Sequence, residues 1–280
     1  RKPCDIFLAM IATNMTTIDG TPRIGVIGLG FVGLATALCF SERGYRVSGY
    51  DIDRERMGIL HKGIVPFFEP GLEAALGRNK CGLTLAADIG ETVRSSDVVF
   101  FCVGTPSLQD GKADISILLD AISMAMRAVP GNGFRMFVVK STVPPGSTAG
   151  PIAHHLESLG ALVEKNVGLA VNPEFLREGF AWEDSMNPDR IVIGACDARS
   201  ETAMLALYQQ FGAPVRLLSP TGAEFVKYAS NTLLATMIGY SNEMALLADR
   251  LGGIDVPDAF SVLHEDRRWR GNPASMTAYV

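Results

Sequence analysis

From Arg23 onward the chain alternates short apolar runs with longer segments whose apolar residues recur at helical spacing. The runs are RIGVIG, RVSGYD, LTL, DVVFFCVG, RMFVVK, VGLAV, RIVIG and PVRLL. They are rich in Val and Ile, and their apolarity is too continuous for a sheet with one face in water, so both faces are expected to be covered. Such alternation predicts an α/β fold on a doubly wound, mostly parallel sheet. No internal repeat or low-complexity tract interrupts it. In sheets of this kind ligands bind beyond the carboxyl ends of the strands, which makes the polar residues closing each run the candidates for chemistry.

Towards the C-terminus the period changes. PTGAEF sets Thr221 three residues before Glu224, a capping-box signature, and helical periodicity then runs to Leu251, where Gly252 and Gly253 stop it. A helix of about 30 residues is on the order of 45 Å long, enough to act as a spine between two domains. Phe225, Leu233, Leu234, Met237, Ile238, Met244, Leu246 and Leu247 cover much of its circumference. One face is therefore expected to remain for a second copy, giving a homodimer through helix 221–251. Lys227 and Asn231, four positions apart, share a face near the domain junction.

Composition narrows the partners. The 280 residues, 48% hydrophobic with 29 glycines, suffice for one large domain and part of a second. A net charge of -5 argues against a nucleic-acid backbone and leaves no basic footprint for a membrane. No run approaches the roughly 18 apolar residues needed to span a bilayer, and the expected location is the cytoplasm. Cys4, Cys39, Cys81, Cys102 and Cys196 form no C-x-x-C pair, which fits free thiols in a reducing compartment, with Cys39 and Cys102 in the core. His61, His154 and His155 lack partners at ligand spacing and are expected on the surface, so no metal is expected. The opening RKPCDIFLAMIATN reads as a disordered or extraneous leader, with Met15 as the natural start. The expected division is a leader at 1–22, a dinucleotide-binding domain at 23–218, and the long helix with the start of a further domain at 219–280.

The first strand runs into GLGFVG, with Gly28, Gly30 and Gly33, and then into a helical stretch; RVSGYD ends in Asp51, 18 residues beyond Gly33. Strand, glycine turn, helix and distal acid together predict a dinucleotide site. Gly28 permits the turn, Gly30 lets the backbone approach a pyrophosphate, and Gly33 allows close packing, while the helix N-terminus favours negative charge. Asp51 would accept from ribose hydroxyls and repel a 2'-phosphate, favouring NAD over NADP. Arg54 and Arg56 pull the other way, since an arginine there can hold a 2'-phosphate. Further strand ends carry Thr105 and Pro106, then Ser141 and Thr142, then Asn172, Pro173, Glu174 and Glu178. Pro173 can start a short helix with Glu174 and Glu178 on one face. Lys227 could donate to an oxygen that gains negative charge during hydride transfer.

The motifs GLGFVGL, PFFEPGLE, VGTPS, STVPPGST, NPEFLREGFAWEDSMNPDRIVIG and EFVKYASNTLLATMIGYSNEMALLA together resemble the UDP-glucose/GDP-mannose dehydrogenase family over roughly residues 23–270. NPEFLREG followed by PDRIVIG is most similar to the UDP-glucose 6-dehydrogenase branch; the GDP-mannose and UDP-N-acetylmannosamine branches stay open. The resemblance implies a Rossmann-type NAD domain, a long central helix at the dimer interface, and a nucleotide-sugar substrate oxidised at C6 to the carboxylate with two NAD. It further implies that Lys227 stabilises the oxyanion, Asn231 positions the reacting group, Glu178 with Thr142 handles hydrolytic water, and Glu174 supports substrate. Gly28, Gly30, Gly33, Asp51, Arg56, Thr105 and Thr142 would border NAD.

Three departures qualify the resemblance. Phe68 replaces the family's usual tyrosine, and Pro145 replaces a small apolar residue. The family's cysteine segment and C-terminal nucleotide-binding domain do not occur before Val280, so the expectation is a truncated, inactive chain. A non-catalytic module that binds NAD and dimerises is the alternative class. A single-step β-hydroxyacid dehydrogenase has no use for NPEFLREG or PFFEPGL. The charged cluster His264, Glu265, Asp266, Arg267 and Arg268 is expected to be a solvated loop without a role.

Overall fold

The computed structural model describes residues 21–79, 81–129, 134–163, 165–263 and 265–266. The leader through residue 20, with Cys4 and Met15, and His264, Arg267 and Arg268 of the charged cluster lie outside the described residues. Two compact units are present, Arg1–Tyr228 and Ala229–Val280.

All eight apolar runs form strands: β1 (Ile24–Ile27), β2 (Val47–Tyr50), β3 (Leu83–Leu85), β4 (Val98–Phe101), β5 (Arg135–Val139), β6 (Val167–Val171), β7 (Ile191–Ala195) and β8 (Val215–Leu218). They make one sheet in the order β3-β2-β1-β4-β5-β6-β7-β8. Every pairing is parallel except β6 against β7. From β1 the chain builds outward to β3 and then crosses back to place β4 on the other side of β1. That reversal opens a crevice at the strands' carboxyl ends.

Successive side chains on a strand point to opposite faces, and this divides the core in two. Val26, Phe100, Met136, Val138 and Ile193 pack on one face with Leu34, Leu38 and Phe40 of α1 (Phe31–Glu42) and with Met204 and Leu207 of α8 (Ala198–Tyr208). Ile27, Phe101, Phe137, Val139 and Val171 pack on the other, beneath Val93 of α4 (Ile89–Arg94) and Leu118 and Ile122 of α5 (Ser116–Met126). Phe100 and Phe101, adjacent in sequence, thus serve separate cores. The remaining helices of this unit are α2 (Arg54–His61), α3 (Leu72–Arg78), α6 (Ala153–Ser158) and α7 (Ala181–Met186).

α1 is buried continuously from Gly33 to Ser41, which explains why its sequence offers no polar face. Just past its end, Arg43 donates from Nη2 to the Met186 carbonyl of α7 at 2.5 Å and lies 4.0 Å over the Phe211 ring. The expectation of two covered faces fails at β8, the edge strand, whose last three residues are exposed.

α9 (Pro220–Leu251) crosses the division between the units and α10 (Val256–Leu263) follows. α9 starts differently from the capping-box expectation. Pro220 is its first residue, the favoured place for proline, and Ser219 Oγ accepts from Gly222 N at 3.1 Å. Glu224 is buried instead and accepts from Gly146 N at 2.5 Å and Thr148 N at 2.7 Å. It pins the loop after β5 through charge-assisted bonds, which are about twice as strong as neutral ones. In the second unit Ala248 is buried and the rings of Tyr240 and Phe260 lie 6.3 Å apart. Among the described residues no helix is long and apolar enough to cross a membrane.

Candidate functional site

β1 ends at Ile27, and the chain turns through Gly28 to Gly30 before α1 begins. Gly28 has φ 89°, and a Cβ there would meet the Cys102 carbonyl oxygen at 2.7 Å. A Cβ at Gly33 would stand 1.7 Å from the Gly28 carbonyl oxygen, so α1 packs directly on the turn. At Gly30 nothing lies within 4 Å of that position. The backbone is bare there, and the unbonded N–H groups of the first turn of α1 open onto the same space.

Asp51 closes β2 and is only 5% exposed. Its Oδ2 accepts from Leu29 N at 2.6 Å and from Arg56 Nη1 at 2.8 Å, and its Oδ1 accepts from Asp53 N at 2.9 Å. A carboxylate has about four lone-pair sites, so one remains for a hydroxyl. Arg56 is not free to hold a phosphate by itself: it is paired with Asp51 and lies 3.6 Å from Asp53. Arg54 is exposed on α2.

These groups border a cleft of about 710 Å³, also lined by Thr105, Ser141, Thr142 and Glu174. Every predicted cofactor residue except Gly33 faces it; Gly33 acts behind it, through packing. Thr105 Oγ1 donates to the Thr142 carbonyl at 2.7 Å and Ser141 Oγ to the Val103 carbonyl at 2.6 Å, tying the ends of β4 and β5 together. The volume, the bare turn at Gly30 and the acid at Asp51 fit a dinucleotide.

Lys227 is not on a solvated face. It is 5% exposed, its Nζ donates to Glu174 Oε1 at 2.7 Å, and it lies 5.5 Å above the Phe175 ring. Asn231 is exposed and belongs to the second unit. The short helix expected from Pro173 does not form. Residues 172–177 are irregular, and Glu178 is exposed on a turn whose next residue, Gly179, has φ 84°. Side chains take the backbone donors a helix would have used. Glu174 Oε2 accepts from Leu176 N at 2.6 Å, Asp184 from Arg177 N at 2.9 Å, and buried Glu69 from Gly179 N at 3.1 Å and Ala181 N at 2.6 Å. Glu174 and Glu178 consequently share no helical face, and only Glu174 lines the cleft.

Lys140 was passed over in the sequence, although a lysine that closes an apolar strand on the ligand-binding edge is a readable signal. It lines the cleft, and its Nζ donates to Asn172 Oδ1 at 3.0 Å. Cys102, expected in the core, also lines the cleft, and burial pushes its thiol up to about 12, so it stays protonated at neutral pH. His155, expected on the surface, is half-buried, with Nε2 2.7 Å from Ser123 Oγ.

Residues 22–212 match the model of the UDP-glucose/GDP-mannose dehydrogenase family, NAD binding domain, and residues 221–278 match that family's central domain. The UDP-glucose 6-dehydrogenase of Pseudomonas aeruginosa is 39% identical over 254 residues, covering 88% of this chain and 55% of that protein. Among solved structures, a UDP-glucose dehydrogenase from Pyrobaculum islandicum superposes with a TM-score of 0.83 at 41% identity, covering 89% of this chain and 57% of that one. A GDP-mannose dehydrogenase from Pseudomonas aeruginosa, solved as a ternary complex, gives 0.84 at 32% identity, covering 90% and 59%. The chain spans about half the length of the curated relatives it matches.

Proposed function

Because this chain belongs to the UDP-glucose/GDP-mannose dehydrogenase family, we propose that it supplies the NAD-binding and hydride-transfer site of a UDP-glucose 6-dehydrogenase. The overall change is RCH2OH + 2 NAD+ + H2O → RCOO- + 2 NADH + 3 H+, where R is the rest of the nucleotide sugar. The observation that carries this reading is the convergence of Gly30, Asp51, Thr105, Thr142 and Glu174 on one cleft beyond the strand ends. The UDP-glucose assignment is supported by the 37–39% identity to two UDP-glucose relatives, against 34–35% to two GDP-mannose relatives.

NAD, when bound, accepts hydride from the sugar carbon. The Gly28 to Gly30 turn and the first turn of α1 hold its pyrophosphate, and Asp51 accepts from a ribose hydroxyl. Lys227 donates to the C6 oxygen as that oxygen gains negative charge. An ammonium has three donors; Glu174 takes one and supplies the opposite charge without which a buried cation is costly. Thr142 borders the reacting end of the cleft. Asn231 as a positioning group and Glu178 as an activator of water are assigned through the family resemblance.

The test is to join the chain to the family's cysteine segment and C-terminal nucleotide-binding domain, to incubate that protein with UDP-glucose and NAD, and to count products. Two NADH per UDP-glucuronate are expected, and NADP should replace NAD poorly because Asp51 opposes a 2'-phosphate. One NADH per sugar, or a preference for GDP-mannose, would overturn the assignment.

We further propose that the chain dimerises through α9. Leu234, Met237, Ile238 and Leu246 are all more than half exposed along its second-unit stretch, and apolar exposure of this extent marks an interface. Sedimentation at micromolar concentration should give twice the chain mass, and Met237→Glu with Ile238→Glu should return the monomer. A strictly monomeric parent chain would sink the idea.

A further inference from the structure

Lys140 sits at the end of β5, and nothing in the proposed chemistry uses it. Its side chain lines the same cavity as Gly30, Thr105 and Glu174. Asn172 Oδ1, which accepts from Lys140 Nζ at 3.0 Å, also accepts from the Tyr208 hydroxyl, while Asn172 Nδ2 donates to the Val192 carbonyl at 2.8 Å. Asn172 is 2% exposed and Tyr208 5% exposed. The ammonium thus ends a buried polar chain that runs from the core to the cleft. Its direct acceptor is a neutral amide, so that bond orients the charge without cancelling it.

The two halves of a doubly wound dinucleotide fold each take one mononucleotide. Asp51, closing β2, belongs to the first half; Lys140, directly after β5, and Glu174, after β6, belong to the second, which takes the nicotinamide. That ring is positively charged in the oxidised cofactor and neutral in the reduced one. The groups acting on Lys140 from the surrounding elements are Glu174, Lys227, Cys102 and Cys39. Burial pushes the Cys102 and Cys39 thiols up to about 12 and about 11, and the Tyr208 phenol well above its usual value, so all three stay neutral near pH 7. Of the charged groups acting on Lys140, Glu174 and Lys227 offset each other; Asp120 also lines the cleft, and Lys140 adds one positive charge to it.

We propose that Lys140 is a positioning residue that makes the cleft favour reduced over oxidised cofactor by holding an ammonium in the nicotinamide half. The inference rests on the dinucleotide reading of the cleft. It deepens that reading by giving the site a bias towards the product side of hydride transfer. Burial, the largest influence, pulls Lys140 below the ordinary lysine value, with Glu174 among the groups opposing it. The ammonium and the preference it causes are present below that lowered pKa and are lost as pH rises through it.

The experiment is to titrate the full 280-residue chain separately with NAD+ and with NADH in a pH series that runs from neutrality up to the ordinary lysine value of about 10.4. NADH should bind more tightly, with the ratio of the two Kd values shrinking as pH rises. Lys140→Met should reduce that ratio about tenfold near neutral pH, as expected for removing one charge some 10 Å from another at an effective dielectric constant of ~20, and should flatten its pH dependence. Lys140→Arg, which stays charged throughout, should keep the ratio and also flatten it. If Lys140→Met weakens both forms equally, its role is structural packing and the proposal is wrong. Should that variant not fold, the pH series on the unaltered chain decides, a flat ratio overturning the proposal. Binding of neither form would overturn the dinucleotide reading itself, and the inference with it.

Discussion

Gly30→Ala should lower NADH affinity by about a hundredfold or more while leaving the melting temperature within about a degree of the parent chain, the result for a methyl that meets ligand and no protein. Gly30 has φ -70°, which alanine adopts freely, and nothing lies within 4 Å of the added Cβ. The methyl would project from the turn on which a pyrophosphate must rest. Gly33→Ala should do the opposite. Its Cβ would stand 1.7 Å from the Gly28 carbonyl oxygen, a backbone atom that cannot move without moving β1 or α1. A loss of about 3 kcal/mol or more is expected, beyond the usual range for overpacking, which is about 10 °C in Tm for a unit of this size. Thermal melts together with NADH titration separate the two effects. Parental NADH affinity in Gly30→Ala would mean that the pyrophosphate does not pass over this turn.

Lys227→Met should cost about 3 kcal/mol of stability, the lower end for breaking a buried pair, because the partly buried Glu174 would lose the cation bonded to it. The two side chains are 6% and 14% exposed and 2.7 Å apart. In protein that oxidises UDP-glucose the same change should reduce turnover by about a hundredfold or more, the effect of removing one donor to a developing oxyanion. Adding Glu174→Gln separates the two losses. The neutral amide oxygen can still accept from Leu176 N, and with both charges gone the desolvation penalty disappears, so most of the stability should return. Turnover should not. Recovery of NADH production in the double variant would show that Lys227 has only a structural role.

The depth of sequence legibility differs between the two halves of the site. GLGFVG and Asp51 were readable because a dinucleotide site is built from one continuous strand, turn and helix, and short-range spacing encodes its geometry. Glu174 and Lys227 were readable as candidates, but their pairing was not, since 53 residues separate them. Arg56 reads from the sequence as a candidate 2'-phosphate ligand; its 2.8 Å contact with Asp51 shows it committed to that carboxylate instead.

The sequence by itself determined the eight strands, their mostly parallel assembly and the position of the ligand-binding edge. It could do so because burial on both faces of a sheet demands continuous apolar runs, and α-helical crossovers demand parallel neighbours. Only the tertiary structure decided what the polar residues do. Glu224 reads locally as part of a capping box, yet it bonds to Gly146 across 78 residues of sequence. Residues after Pro173 read locally as a short helix, yet Glu69 reaches across 112 residues to take the amide of Ala181. Lys140 acquires its place in the cleft from Asn172, 32 residues away. A buried carboxylate or ammonium goes to whichever partner the fold brings within hydrogen-bond reach, because the cost of leaving it unpaired exceeds any local preference for a turn or cap. Periodicity records which residues face the core, and carries no information about which distant groups meet there.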